Sequence, residues 1–182
     1  IQLAAGDYTG GTISKAVTVN GAKAGTAAGP SATPADRSTG TGSSFSGESV
    51  FSVTLTVSAV GATIDGVVVN PTTATNSVTV SVSGATIRNS ILVGRSNAIA
   101  TSGTNSPIAA TVAAGANSYT LTGNRLIGGR YGVYLQNAST AASTITDNYV
   151  SAVQYGVSTS ASDTGAHLIS GNLIEAVTQG LN

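Results

Sequence analysis

Three segments of the chain align without a gap: LTGNRLIGGRYGV from Leu121, ITDNYVSAVQYGV from Ile145 and ISGNLIEAVTQGL from Ile169. The offset is 24 residues both times (121, 145, 169). A fixed period of this size marks a solenoid, in which residues one period apart lie over one another. Asn recurs at the fourth place (Asn124, Asn148, Asn172), an aliphatic at the sixth (Leu126, Val150, Ile174) and Gly at the twelfth (Gly132, Gly156, Gly180). An aliphatic follows each Gly: Val133, Val157, Leu181.

The pattern runs upstream in weaker form. IRNSILVGRSNAI begins at Ile87, IDGVVVNP at Ile64 and VTVNGAKAG at Val17. The step from Ile64 to Ile87 is 23 residues; the step from Ile87 to Leu121 is 34, one period plus about ten. Two polar stretches interrupt the repeat, Gly25–Gly47 and Thr101–Asn117, and both read as loop insertions, the first long and exposed. Within the units the alternation has a period of two: Val53, Leu55, Val57 against Thr54, Thr56, Ser58, and Val78, Val80, Val82 against Thr79, Ser81, Ser83. That is strand periodicity, and no 3.6-residue pattern of helical length accompanies it.

Short strands bent at Gly and Asn, two or three per period, describe a coil wound around a core. The expected fold is an all-β solenoid of six or seven coils of 23–24 residues, one domain over residues 1–182. Inward aliphatics form columns, and stacked Asn side chains hydrogen-bond along a ladder that justifies a polar residue at a tight corner. The pattern I-x-x-N-x-(L/V/I), followed six residues later by G-(V/L), resembles the repeat of right-handed parallel β-helix proteins, the pectate-lyase-like superfold. The opening IQLAAGDYTGGTISKAVTVNGA is similar to the first coil of that superfold. The resemblance implies a fold that carries polysaccharide lyases and hydrolases, tailspikes, adhesins and surface-layer-like proteins, so it does not choose among functions.

Composition narrows the choice. Charged residues make up 8% of the chain, against about 25% in ordinary soluble proteins, and seven basic residues balance seven acidic ones. Nucleic-acid binding and a polybasic membrane patch need clustered Lys and Arg, which are absent. No apolar run reaches the length of a membrane span. Cys and Met are both missing, so a disulfide scaffold is impossible. Few charges and abundant Ser and Thr suit an extracellular or cell-surface protein. The chain opens on Ile1 with no initiator Met, as a processed or trimmed chain would.

Catalytic constellations do not emerge. Glycoside hydrolysis needs two carboxylates ~5–9.5 Å apart. The seven acids, Asp7, Asp36, Glu48, Asp65, Asp147, Asp163 and Glu175, are dispersed, and Asp147 and Glu175 occupy different places in their units. Asp65 and Arg88 share the second place in successive coils and are expected to form an inter-coil salt bridge. His167 is the only His, has no acid at a telling spacing, and reads as a strand residue. Gly128-Gly129-Arg130-Tyr131-Gly132 precedes no helix and is no phosphate cradle. No catalytic residue, cofactor or metal ligand is therefore assigned. Tyr131 and Tyr155 fall at equivalent places and read either as a stacked pair at a solenoid corner or as a glycan-contacting platform.

Outward positions carry the remaining expectation. The fifth places, Val68, Ile91, Arg125, Tyr149 and Leu173, form a mostly apolar outer stripe, which marks a contact surface or ground covered by a loop. No amphipathic helix caps either end, and Gly180, Leu181 and Asn182 still lie inside the repeat. An open coil end exposes unpaired backbone and invites head-to-tail addition. The sequence thus predicts a non-enzymatic extracellular structural protein whose partner is itself, assembled into a filament, sheath or surface layer. The alternatives are a carbohydrate-binding or adhesive module with cell-surface glycans as partners, and a polysaccharide-cleaving enzyme.

Overall fold

A computed structural model of the chain describes residues 1–30, 37, 45–72, 76–94, 106–110, 118–135, 141–161 and 163–181. The first coil carries β1 (Gly6–Tyr8), β2 (Thr12–Ile13) and β3 (Thr18–Asn20), and the second β4 (Ser49–Phe51), β5 (Leu55–Val57) and β6 (Thr63–Asp65). The third has β7 (Val68–Val69), β8 (Asn76–Val80) and β9 (Ala85–Arg88), and the fourth β10 (Ile91–Val93), β11 (Ser106–Ala110) and β12 (Tyr119–Thr122). Then come β13 (Arg125–Ile127), β14 (Tyr131–Leu135) and β15 (Thr144–Thr146), followed by β16 (Tyr149–Thr159), β17 (Leu168–Ser170) and β18 (Leu173–Leu181). All named pairs are parallel. β1-β4-β7-β10-β13-β16-β18 form one face, β2-β5-β8-β11-β14-β16-β18 a second, and β3-β6-β9-β12-β15-β17 a third.

This is the expected parallel β-helix, with seven rungs on the first face and six on the third. The 24-residue offset is the register itself: Leu121 pairs with Ile145 and Ile145 with Ile169. Below them Ile87 pairs with Leu121 and Ile64 with Ile87, so one aliphatic column runs up the third face. Ile64, Ile87, Leu121 and Ile145 are fully buried, as are Leu92, Leu126 and Val150 from the first face. Burying an aliphatic side chain contributes about 1.5–3 kcal/mol, and these columns supply it repeatedly.

Every coil after the first leaves the third face through one left-handed residue. Gly66, Asn89, Gly123, Asp147 and Gly171 all have positive φ, between 50° and 68°. Only Gly, Asn and Asp adopt that conformation readily, and only those three types occur here. The Asn ladder follows at once. Asn124 Nδ2 donates to Asn148 Oδ1 at 3.0 Å, and Asn148 Nδ2 to Asn172 Oδ1 at 2.9 Å. Each Asn Oδ1 also takes a backbone N–H from the coil below: Ser90 N to Asn124 (2.9 Å), Asn124 N to Asn148 (3.0 Å) and Asn148 N to Asn172 (2.9 Å). Ser90 Oγ continues the device by accepting from Val67 N. Gly132 and Gly156 are fixed by close approach. A Cβ on Gly156 would fall 2.3 Å from Gly180 O, and one on Gly132 2.6 Å from Gly156 O.

Two expectations are corrected. Gly25–Gly47 is not an exposed loop in its described part. Ala28, Arg37 and Phe45 are buried against the outer side of the first face, where Ala28 and Phe45 cluster with Val68, Ile91, Val93 and Ile127. Arg37 anchors this strap. Its guanidinium bonds both carboxylate oxygens of Glu48 (2.8 and 3.2 Å), Thr26 O (2.7 Å) and Asn89 O. The Thr101–Asn117 stretch is not all insertion either: Ser106–Ala110 is a regular rung, β11, between β8 and β14.

Candidate functional site

The fifth places do point away from the core, but they are not one open stripe. Val68 and Ile91 are completely buried beneath the strap, so they are not available to a partner as expected. The strap supplies Ala28 and Phe45 to that ground and excludes water from it. Arg125, Tyr149 and Leu173 continue the column in perfect register (Ile91↔Arg125↔Tyr149↔Leu173), and Leu173 is 48% exposed. Gly29 and Pro30 of the strap wall a groove of about 200 Å³ against Arg125, Tyr149, Leu173 and Glu175. The Arg125 guanidinium lies 4.6 Å over the Tyr149 ring. The Tyr149 hydroxyl donates to Glu175 Oε2 at 2.5 Å. That bond, and then burial, pushes the phenol pKa up, and nearby Arg125 opposes the shift.

Tyr131 and Tyr155 stack as equivalent residues of neighbouring coils, with ring centroids 5.4 Å apart and planes 20° from parallel. Tyr134 joins them, 4.4 Å from Tyr131. Arg130 sits over both Tyr131 (5.1 Å) and Tyr155 (5.7 Å). The rings therefore spend much of their π-surface on one another, as a stacked corner should, and all three remain partly exposed. Tyr134 was missed because a spacing of three in an unbroken strand puts side chains on opposite faces. Gly180 and Leu181 sit on the last rung, where Leu181 is 59% exposed. Asn182 lies outside the described residues.

The acids are mostly engaged one at a time. Arg88 Nε meets Asp65 Oδ2 at 2.8 Å, the expected inter-coil bridge, and Asp65 Oδ1 also accepts from Gly25 N and Asn89 Nδ2. Glu48 is held by Arg37 in a pair with side chains about as buried as any in the chain. A larger groove, about 650 Å³, brings Asp7 beside Glu48, but the Glu48 carboxylate is committed to Arg37. His167 does have an acid partner, contrary to expectation: its Nε2 lies 3.0 Å from Asp163 Oδ1. A spacing of four carries meaning on a helix, and this segment is not one, so nothing in the sequence pointed to the pair. His167 Nδ1 accepts the Ser143 backbone N–H at 3.1 Å. The ring proton therefore sits on Nε2 and is donated to Asp163.

The sequence pattern of the NosD family, described as a periplasmic copper-binding protein, matches residues 31–182. The chain belongs to the NosD family. No curated protein and no solved structure matches it. The family match and the stacked parallel rungs agree on a β-helix, the family's description is of a periplasmic protein, and neither singles out the pectate-lyase-like group. Among the described residues no helix is long and apolar enough to cross a membrane. The copper in the family's description does not fit the donors present. The chain has no Cys and no Met, its one His has both ring nitrogens engaged, and the described residues hold no cluster of three His, Cys, Asp or Glu.

Proposed function

We propose that this NosD-family chain is a non-enzymatic scaffold at the cell exterior that binds saccharide on the outer surface of its last three coils. The observation that carries this reading is the groove that borders the strap. Ala28 and Phe45 cover the outer stripe over Val68 and Ile91, and Gly29 and Pro30 wall the neighbouring groove against Arg125, Tyr149, Leu173 and Glu175. Partly exposed aromatic rings offer apolar faces to sugar C–H groups, and Arg, Glu and Tyr hydroxyls offer hydrogen bonds to sugar hydroxyls. Tyr131, Tyr134 and Tyr155 form a separate aromatic cluster on the second face. The engagement of Glu48, Asp65, Asp163 and Glu175 with separate partners supports a binding role over cleavage, which needs two free carboxylates across a bond.

Affinity electrophoresis through gels containing cell-surface polysaccharides tests the reading. Retardation of the wild type, reduced in Tyr149→Ala and Tyr155→Ala, is the expected result. Migration unaffected by every polysaccharide refutes it. A second reading, end-to-end assembly of copies into a filament, sheath or surface layer, is favoured by the apolar exposure of Leu168, Leu173 and Leu181. Light scattering and negative-stain imaging at high concentration should then show rods that shorten to monomers in Leu181→Asp.

A further inference from the structure

We infer that these 182 residues fold without holding copper, and that their single imidazole is a structural clamp rather than a metal ligand. Cu(I) is held by soft thiolate and thioether sulfur, and imidazole nitrogen serves Cu(II). With no Cys and no Met anywhere in the chain, a copper site would have to rest on His167 and oxygen donors. Neither ring nitrogen of His167 is free. Binding a metal at Nδ1 would break the bond it now accepts from the Ser143 N–H, in a place where the His side chain is only 8% exposed. Binding at Nε2 would detach Asp163, which also accepts the Gly165 N–H at 2.9 Å and so holds the turn that leads into β17.

The clamp repeats a device used elsewhere in the fold. Tyr119 N donates to Ser143 Oγ at 3.3 Å, and Ser143 N donates to His167 Nδ1 at 3.1 Å. Tyr119 opens β12, and Ser143 and His167 immediately precede β15 and β17, in register, each one coil above the last. A side-chain acceptor of one coil takes the backbone N–H of the coil beneath, as the Asn ladder does at the other end of the same strands. His167 is thus the upper member of a second ladder, and an imidazole serves there as a hydrogen-bond acceptor of suitable reach. Any copper handled in company with this chain must be held by donors outside these 182 residues.

The test uses the full chain in two arms. In the first, it is titrated with Cu(I) in the presence of a chromophoric Cu(I) chelator, and with Cu(II) in excess glycine followed by electron paramagnetic resonance. The chelator keeping its Cu(I), and a spectrum of copper–glycine alone, are expected. Withdrawal of one equivalent of copper in either oxidation state, or a Tm that rises with copper, overturns the inference. In the second arm His167→Gln and His167→Leu are compared by thermal unfolding without metal. The Gln oxygen can accept the Ser143 N–H and Leu cannot, so the Gln variant should keep a higher Tm. Equal Tm values for the two variants overturn the clamp. Neither arm depends on saccharide binding.

Discussion

Replacing Asn148 by Ala removes the centre of the Asn ladder, and the cost can be worked from its bonds. Asn148 is fully buried. Its Oδ1 accepts from Asn124 N and Asn124 Nδ2, both at 3.0 Å, and its Nδ2 donates to Leu121 O (3.1 Å), Thr146 O (2.9 Å) and Asn172 Oδ1 (2.9 Å). After truncation Asn124 Nδ2 still has Ile87 O at 2.9 Å, and Asn172 Oδ1 keeps the backbone N–H at position 148 at 2.9 Å. The buried Asn124 N–H loses the acceptor the ladder gives it. An orphaned buried donor costs about 1–3 kcal/mol, and the other lost bonds add about 1 kcal/mol apiece where water does not replace them. The expected destabilisation is about 3–5 kcal/mol. Asn148→Ser should cost about half as much, because Ser90 Oγ already accepts the N–H beneath it one place along the same column. Urea unfolding followed by circular dichroism measures both. An Ala variant within ~1 kcal/mol of wild type, or a Ser variant no better than Ala, would refute the reasoning.

Gly156→Ala should destabilise severely, because its Cβ would meet Gly180 O and Ile174 Cγ2 at 2.3 Å, whereas Gly180→Ala should be nearly silent, its nearest atom being 4.0 Å away; thermal unfolding of the two variants separates them. Glu48→Gln leaves the buried Arg37 guanidinium uncompensated, which costs about 3–5 kcal/mol where a buried pair is broken. Limited trypsin digestion should then cut after Arg37 faster than in the wild type. Burial alone would raise the Asp65 carboxyl, but the Gly25 N–H, the Asn89 amide and Arg88 together hold it below its ordinary value of 3.8. Its contribution to stability is therefore present above pH 3.8 and lost as pH falls through the depressed value. Asp65→Asn should flatten that acid limb of the stability curve, and an unchanged limb would show that Asp65 does not shape it.

The parts of this fold legible in the sequence are those where one residue type does one job at a fixed interval. Asn124, Asn148 and Asn172 repeat without a gap, so their stacking could be read directly. The ladder's lower members, Ser90 and Val67, were not legible, because what the column conserves is a hydrogen bond rather than a residue type. The strap was hidden for a different reason. Its composition reads as loop, and the pairing of Arg37 with Glu48 depends on tertiary approach that no periodicity encodes. β11 was read as insertion because Pro107, Ala109 and Ala110 carry little strand preference, and only Ile108 signals a core position by type. At the candidate site, the outward direction of Val68, Ile91, Arg125, Tyr149 and Leu173 followed from the repeat. Which of them would be roofed over did not, because the roof is the strap.

The spacing between stacked residues is not constant, and the ladder tolerates this. Val19 lies 45 residues before Ile64, and Ile87 lies 34 before Leu121, yet each pair meets in the same column as partners 23 or 24 apart. Corners of the coil can therefore admit a dozen or two extra residues while every neighbouring rung keeps its alignment. Such a backbone behaves like shelving whose uprights stay fixed while the trays vary. New surface segments can be spliced in one at a time, by evolution or by an engineer, without renegotiating the interior.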